Sequence, residues 1–312
     1  MSLIEQAANR LEQLRRAGVE LPEEPKVTLS SSGSATANRD SGDVQPARSV
    51  AQGPSADSHS NRVSLDLDAL AAAGFITPKM PRAQISDEYR VIKRPLIDNA
   101  MGKGAAPVVN GNLIMVTSAI PGEGKTFTAI NLAMSIAMER DTTVMLVDAD
   151  VPNPSVLRVL GLSPGPGLLD VLVNNSIDLG GVLLKTDVEK LTILPAGSPH
   201  PQATELLASD AMVRLLDDMA KRYDDRIIVF DSPPLLVTTE AKELAAHMGQ
   251  IVLVTRAEKT LHTQVKQALV AIDACPVKLM VLNQASRDPM GSYGYGYGYG
   301  YGYGHDRRVG EG

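Results

Sequence analysis

Three groups of residues, far apart in the chain, have the types and spacing to hold a nucleotide and move its terminal phosphoryl group. The first is Ala119-Ile120-Pro121-Gly122-Glu123-Gly124-Lys125-Thr126. It follows an apolar run and leads into an amphipathic stretch, which is the strand, loop and helix context of a P-loop. Glycines there let backbone N–H groups turn inward on β- and γ-phosphate oxygens, and the helix N-terminus adds its partial positive charge. Lys125 has the charge to neutralise phosphate and Thr126 the hydroxyl to ligate Mg2+. Pro121, Gly122, Glu123, Gly124 and Phe127 complete the expected ATP cradle. Ala119 stands where the strict pattern has a glycine.

The second group is acidic. Asp148 and Asp150 close the apolar run ending Val147-Asp148-Ala149-Asp150, and Asp231 closes Ile227-Ile228-Val229-Phe230. Alternation along an extended segment sends Asp148 and Asp150 to the same side, at the strand end where open α/β sheets place ligands. Repulsion between such neighbours is relieved by a divalent cation; the other reading of the pair is a helix cap at a strand-to-helix turn. A single aspartate ending a hydrophobic strand is how a Walker B carboxylate reaches a metal. The expected catalytic residues are Lys125, Asp148 and Asp150, with Thr126, Asp150 and Asp231 around Mg2+.

The third group is a repeat: Tyr293, Tyr295, Tyr297, Tyr299, Tyr301 and Tyr303, each followed by glycine. A phenol has a pKa near 10 and needs a base to accept its proton as it attacks phosphorus; Asp148 is assigned that role. Glycine at every second position predicts a random coil, and about twenty residues of such chain reach roughly 25 Å on average, enough to enter a neighbouring subunit. Other uses of the segment are an adhesive aromatic strand, a base-stacking platform or a condensate former. Donor site and acceptor on one polypeptide suggest a tyrosine autokinase outside the eukaryotic kinase fold.

The elements that position these groups are legible as alternation. Short apolar runs at Leu113–Thr117, Thr143–Val147, Leu191–Leu194, Ile227–Phe230, Ile251–Val254 and Val277–Leu282 are separated by amphipathic stretches at Phe127–Glu139, Met212–Tyr223, Thr239–His247 and Leu261–Ala274. Continuous apolar strands between helices predict an α/β fold, a doubly wound, mostly parallel sheet with helices on both faces. Ile85 to Asn99 reads as a further helix. Leu3, Ile4, Ala7, Leu11 and Leu14 give a short amphipathic helix within residues 1–24. Residues 25–80 read as a low-complexity linker, too poor in apolar surface to offset the entropy of ordering, before a P-loop domain at 81–285 and a tail at 286–312.

Composition narrows the function. The formal net charge of −6, with scattered basic residues, argues against a nucleic-acid partner. A single cysteine, Cys275, excludes an internal disulfide framework. No run approaches the roughly 18 apolar residues that span a bilayer, and no signal pattern opens the chain, so a cytoplasmic location is expected.

Together these residues resemble the bacterial tyrosine kinases (BY-kinases) of polysaccharide export, whose fold is similar to that of MinD-type and ParA-type P-loop ATPases. The resemblance rests on the proline-bearing Walker A from Pro121 to Thr126, the Asp-x-Asp pair Asp148 and Asp150, the Asp-x-x-Pro of Asp231 and Pro234, and the tyrosine cluster. The tail is most similar to that of the cytoplasmic form linked to exosortase and PEP-CTERM loci. The resemblance implies autophosphorylation regulating exopolysaccharide chain length or export. It also implies activation by the cytoplasmic tail of a transmembrane chain-length determinant, which would place the chain peripherally at the inner membrane, and a cognate tyrosine phosphatase. It implies a homo-oligomeric ring, with Asp87, Arg90 and Lys93 at the family's Glu-x-x-Arg-x-x-Arg positions, and it places Arg256, Thr260 and Asn283 near the nucleotide. Pro152 stands where the family has an arginine. The main alternative is a MinD- or ParA-like positioning or partitioning ATPase; Ile120 occupies the place of its signature lysine. No Asn-Lys-x-Asp guanine-reading motif occurs.

Overall fold

A computed structural model describes residues 61–80, 84–174, 176–222 and 226–285. The amphipathic helix within 1–24 and all six tail tyrosines lie outside the described residues. The strands are β1 (Asn61–Val63), β2 (Leu113–Ser118), β3 (Thr143–Asp148), β4 (Leu184–Thr186), β5 (Leu191–Leu194), β6 (Arg226–Asp231), β7 (Gln250–Arg256) and β8 (Val277–Asn283). They form one sheet in the order β1-β4-β5-β3-β6-β2-β7-β8. Every neighbouring pair is parallel except β4 with β5.

The helices are α1 (Leu67–Ala72), α2 (Gln84–Ala100), α3 (Lys125–Ala137), α4 (Val156–Val159), α5 (Leu168–Val173), α6 (Leu179–Val182), α7 (Ala203–Leu207), α8 (Asp210–Arg222), α9 (Glu240–Ala245) and α10 (His262–Ala271). The continuous apolar runs are explained by burial on both faces of the sheet. Met115, Met145, Val147, Ile228, Phe230 and Leu253 face one core with α8 and α9. Their alternates Val116, Val144, Leu146, Ile227, Val229 and Val252 face the other with α2 and α3. The expected doubly wound α/β architecture is present, and each apolar run forms a strand within a residue or so of its expected bounds.

The linker expected over 25–80 does not describe its last part. Asn61–Val63 adds a parallel edge strand to β4, and Leu65, Leu70 and Ile76 are buried in the α2/α3 core. The Ile76 N–H donates to the Asn131 side-chain oxygen on α3 at 2.7 Å, and the Phe75 ring lies 4.9 Å from that of Phe127. Six large apolar residues between Val63 and Ile76 offset the entropy of ordering this piece; averaging them with the Ser- and Asn-rich stretch before them hid the signal.

Candidate functional site

The phosphate-cradling loop joins β2 to α3 at the carboxyl ends of the parallel strands. Gly122 and Gly124 adopt φ of +81° and +95°, the left-handed region that side chains resist. A Cβ on Gly124 would also meet the Asn283 amide nitrogen at 2.1 Å. No positive φ is needed at Ala119, and its methyl is buried in the core, so alanine is accommodated where the strict motif has glycine. The loop is tied to the turn that follows β6: the Thr117 hydroxyl donates to the Pro233 carbonyl at 2.7 Å, and the Leu235 N–H donates to the Ser118 carbonyl at 2.8 Å.

Around this loop the structure gathers four of the expected groups. Lys125 Nζ lies 3.2 Å from Asp150 Oδ2. Asp148 and Asp231 are paired in register across β3 and β6. Asp148 Oδ2 accepts from the N–H groups of Ser155 and Val156 at 3.0 and 2.9 Å, which is the capping arrangement for one of its oxygens. The other, Asp148 Oδ1, together with Asp150 Oδ1 and both oxygens of Asp231, is buried without a hydrogen-bond partner among the described residues.

Burial dominates the electrostatics. It pushes the Asp148 carboxyl up to about 6, against the pull of the Val156 and Ser155 N–H groups and with the push of the Asp150 charge. It pushes Asp231, fully enclosed, up to about 7, against the pull of the nearby Thr126 hydroxyl, which does not complete a hydrogen bond to it, with the push of the Asp148 charge and against the pull of Lys125. Oxygens this exposed to unrelieved charge are a natural set for a hard cation. Among the described residues, no three His, Cys, Asp or Glu side chains are arranged to hold a metal by themselves. Mg2+ is commonly held by one or two carboxylates together with water and substrate phosphate oxygens. Thr126, whose hydroxyl is 3.0 Å from that of Ser155, Asp150 and Asp231 are the residues that would hold it.

A cavity of about 380 Å3 opens over the loop, lined by Pro121, Lys125, Asp150, Asn153, Ser155 and Arg158, among others. Ser155 and Arg158 were not legible as site residues, although Pro154-Ser155 is a helix-start signal.

Other expected residues take different places. The Glu123 side chain turns into the protein, 1% exposed. It accepts from the Ile120 N–H at 2.8 Å, from the Thr260 hydroxyl and from the Arg256 N–H at 3.4 Å. Asn283 donates its side-chain amide to the Glu123 carbonyl at 2.9 Å. Glu123, Arg256, Thr260 and Asn283 thus brace the loop from behind through these bonds. The ring of Phe127 packs at a tilt of 48° against that of Phe75, leaving its backbone as the part that adjoins the loop. Asp87 and Arg90 are exposed and paired with each other. Lys93 is a correction to the expected interface trio: it is 3% exposed, with Nζ at 2.5 Å from the Ser135 carbonyl and 2.8 Å from Glu139. The residues of α2 that face the core are Ser86, Tyr89, Lys93, Leu96 and Ile97, and at helical spacing Lys93 falls on that stripe while Asp87 lies to one side of it.

A family model described as an AAA domain matches residues 111–280. The chain is 32% identical over 220 residues to the tyrosine-protein kinase YwqD of Bacillus subtilis, covering 69% of this chain and 87% of that protein. It is 31% identical over 182 residues to the tyrosine-protein kinase ptk of Acinetobacter johnsonii, but that match spans 58% of this chain and only 24% of the longer relative. Its fold is similar to the kinase domain of the Escherichia coli tyrosine kinase ETK, with a TM-score of 0.52 at 28% identity over 60% of this chain and 72% of that one.

Proposed function

The chain belongs to the bacterial tyrosine-protein kinases built on an AAA-type P-loop domain, and from that premise we propose that it is an ATP-dependent autokinase whose acceptors are Tyr293, Tyr295, Tyr297, Tyr299, Tyr301 and Tyr303. The observation that carries the reading is the set of four unpartnered, buried carboxylate oxygens gathered beside Lys125 at the strand ends. A site that only stored structure would have no reason to hold them.

In the proposed reaction the chain's residues mostly position and neutralise. The loop N–H groups and Lys125 bind the β- and γ-phosphates; Asp150 holds Lys125 at the cavity until they arrive. Bound Mg2+ would supply neutralisation of the charge on the transferring phosphate oxygens. The phenolic oxygen bonds to the γ-phosphorus, the bond from phosphorus to its bridging oxygen breaks, ADP leaves, and the phenolic proton passes to Asp148. Tyr89 is unsuited as an acceptor, because it is buried in the core of the domain and burial pushes its hydroxyl up to about 12 against the pull of the neighbouring Thr128 and Asn131 side chains.

The finer reading follows the tail. We assign the chain to the exosortase-linked form and its output to control of exopolysaccharide length or export. Activation would come from the cytoplasmic tail of a transmembrane chain-length determinant and reversal from a tyrosine phosphatase. No helix among the described residues is long and apolar enough to cross a membrane, so attachment at the inner membrane is assigned to that partner. The test is incubation of the chain with labelled ATP and Mg2+, beside a variant carrying phenylalanine at all six tail positions. Label on tyrosine in the first and its loss in the second is expected; equal labelling, or phosphate release with no labelled tyrosine, overturns the proposal.

A further inference from the structure

We propose that a second cavity, of about 540 Å3 and walled by Leu157, Leu162, Pro164 and Pro195 with Asp148 and Arg158 at its polar positions, is the subsite that receives the acceptor phenol ring. This inference rests on the autokinase reading above and adds where and how the acceptor binds.

Three features point to that ligand. Most of the lining is apolar, Leu157, Leu162 and four prolines together with Gly165, Ala196 and Gly197, and proline brings no backbone N–H, so Asp148 and Arg158 are the charged side chains that a ligand meets there. Asp148 is 1% exposed, its Oδ2 is occupied by the Ser155 and Val156 N–H groups, and its Oδ1 has no partner among the described residues. An ionised carboxylate only accepts, so a ligand of this cavity that reaches Asp148 must bring a donor, and a phenol brings one O–H on an otherwise apolar body. A serine or threonine hydroxyl would leave the leucine and proline walls uncovered, which gives a physical basis for selecting tyrosine.

Arg158 makes the connection to phosphate. It lines this cavity and also the cavity over the P-loop, so the two share a wall at one guanidinium. That group can lie on a ring face or donate to phosphate oxygens, and either contact holds the phenolic oxygen at the junction where it must meet the γ-phosphorus. Tail tyrosines flanked by glycine suit the entrance, because the absence of neighbouring side chains lets the backbone come close to the rim.

The test uses the full chain with Mg2+ and a fluorescent ATP analogue. Leu162→Trp, which fills the cavity, is expected to slow tail labelling at least tenfold while nucleotide affinity stays within twofold. Labelling at the wild-type rate overturns the proposal, and so does a tenfold loss of nucleotide affinity, which would assign the cavity to the base. A measurement on the unaltered chain keeps the result independent of how the variant folds. N-acetyl-tyrosinamide is expected to shift the methyl resonances of Leu157 and Leu162 saturably, and N-acetyl-serinamide to leave them in place. Normal tail labelling with no such shift overturns the subsite alone, whereas nucleotide binding with no tyrosine labelled at all overturns the autokinase reading and the subsite with it.

Discussion

Asp148 and Asp231 face each other in register across adjacent strands with water excluded from both, and this couples the site to pH. Each carboxyl is pushed above its ordinary value, to about 6 and about 7. Between their unfolded and folded values the native chain holds protons that the unfolded chain has lost, so their contribution to stability is full at low pH and disappears as pH rises through about 6 to 7. The metal-free chain is therefore expected to show a melting temperature that falls between about pH 4 and 7 on their account. Asp231→Asn should flatten that fall, and saturating Mg2+ with ADP should reverse it; a profile unchanged by Asp231→Asn would refute the assignment. Asp148→Asn should cut tail labelling about 100- to 10,000-fold, the usual contribution of a positioned base, with nucleotide still bound, as read by phosphotyrosine mass spectrometry beside a nucleotide titration. The identities of Lys125, Asp148, Asp150 and Asp231 were legible because each sits at a fixed offset from an apolar strand. The direction of the Glu123 side chain was not, because its partners Arg256 and Thr260 are 133 and 137 positions away and nothing local announces them.

At the scale of elements, helix α3 carries two dependencies that the structure makes specific. Its N-cap, Gly124, combines a left-handed φ with the close approach of Asn283. Gly124→Ala should cost about 1 to 2 kcal/mol from the backbone conformation alone, together with the contact. Adding Asn283→Ala should recover the second part and not the first, as measured by denaturant unfolding. Just beyond its C-terminus, Glu139 meets Lys93 of α2. Burial lowers the Lys93 pKa more than the Glu139 hydrogen bond and charge raise it. Burial raises that of Glu139, but the hydrogen bond and charge of Lys93, with Arg94 and Arg90, outweigh it and hold it below its usual value. The pair is thus better read as fixing how α2 sits on α3 than as net stabilisation. Glu139→Gln should cost about 1 to 3 kcal/mol, because a buried ammonium loses its charged partner, and the loss should be present at neutral pH and fade only below the usual glutamate range, once the wild-type carboxylate, held below its ordinary value, is itself protonated. The long apolar runs made six of the eight strands readable before any coordinates. The three-residue strands β1 and β4 were not, because so short a run owes its conformation to the neighbour it pairs with and carries no period of its own.

For the molecule as a whole, the consequence to test is what phosphorylation does to assembly. The unmodified chain has a formal net charge of −6, and six phosphotyrosines would add about −9 to −12, leaving roughly −15 to −18 per chain. If the tail of one chain enters the cleft of the next, that charge arrives beside Asp148, Asp150 and Asp231, and repulsion works against the contact that made transfer possible. Asp87 and Arg90 are exposed and paired with each other, whereas Lys93 is turned inward, so an assembly built on these three positions would have one cation fewer to set against the repulsion. Sedimentation of the chain at micromolar concentration is expected to show a larger assembly after phosphatase treatment than after incubation with ATP and Mg2+. Because a charge effect is screened over about 3 Å in 1 M salt, against 8 to 10 Å at ordinary ionic strength, high salt should erase much of the difference. The chain with phenylalanine at all six tail positions should sediment alike with and without ATP. Equal assemblies before and after dephosphorylation would separate the chemistry of the site from any cycle of association, leaving the tail as an acceptor with no mechanical consequence for its neighbours.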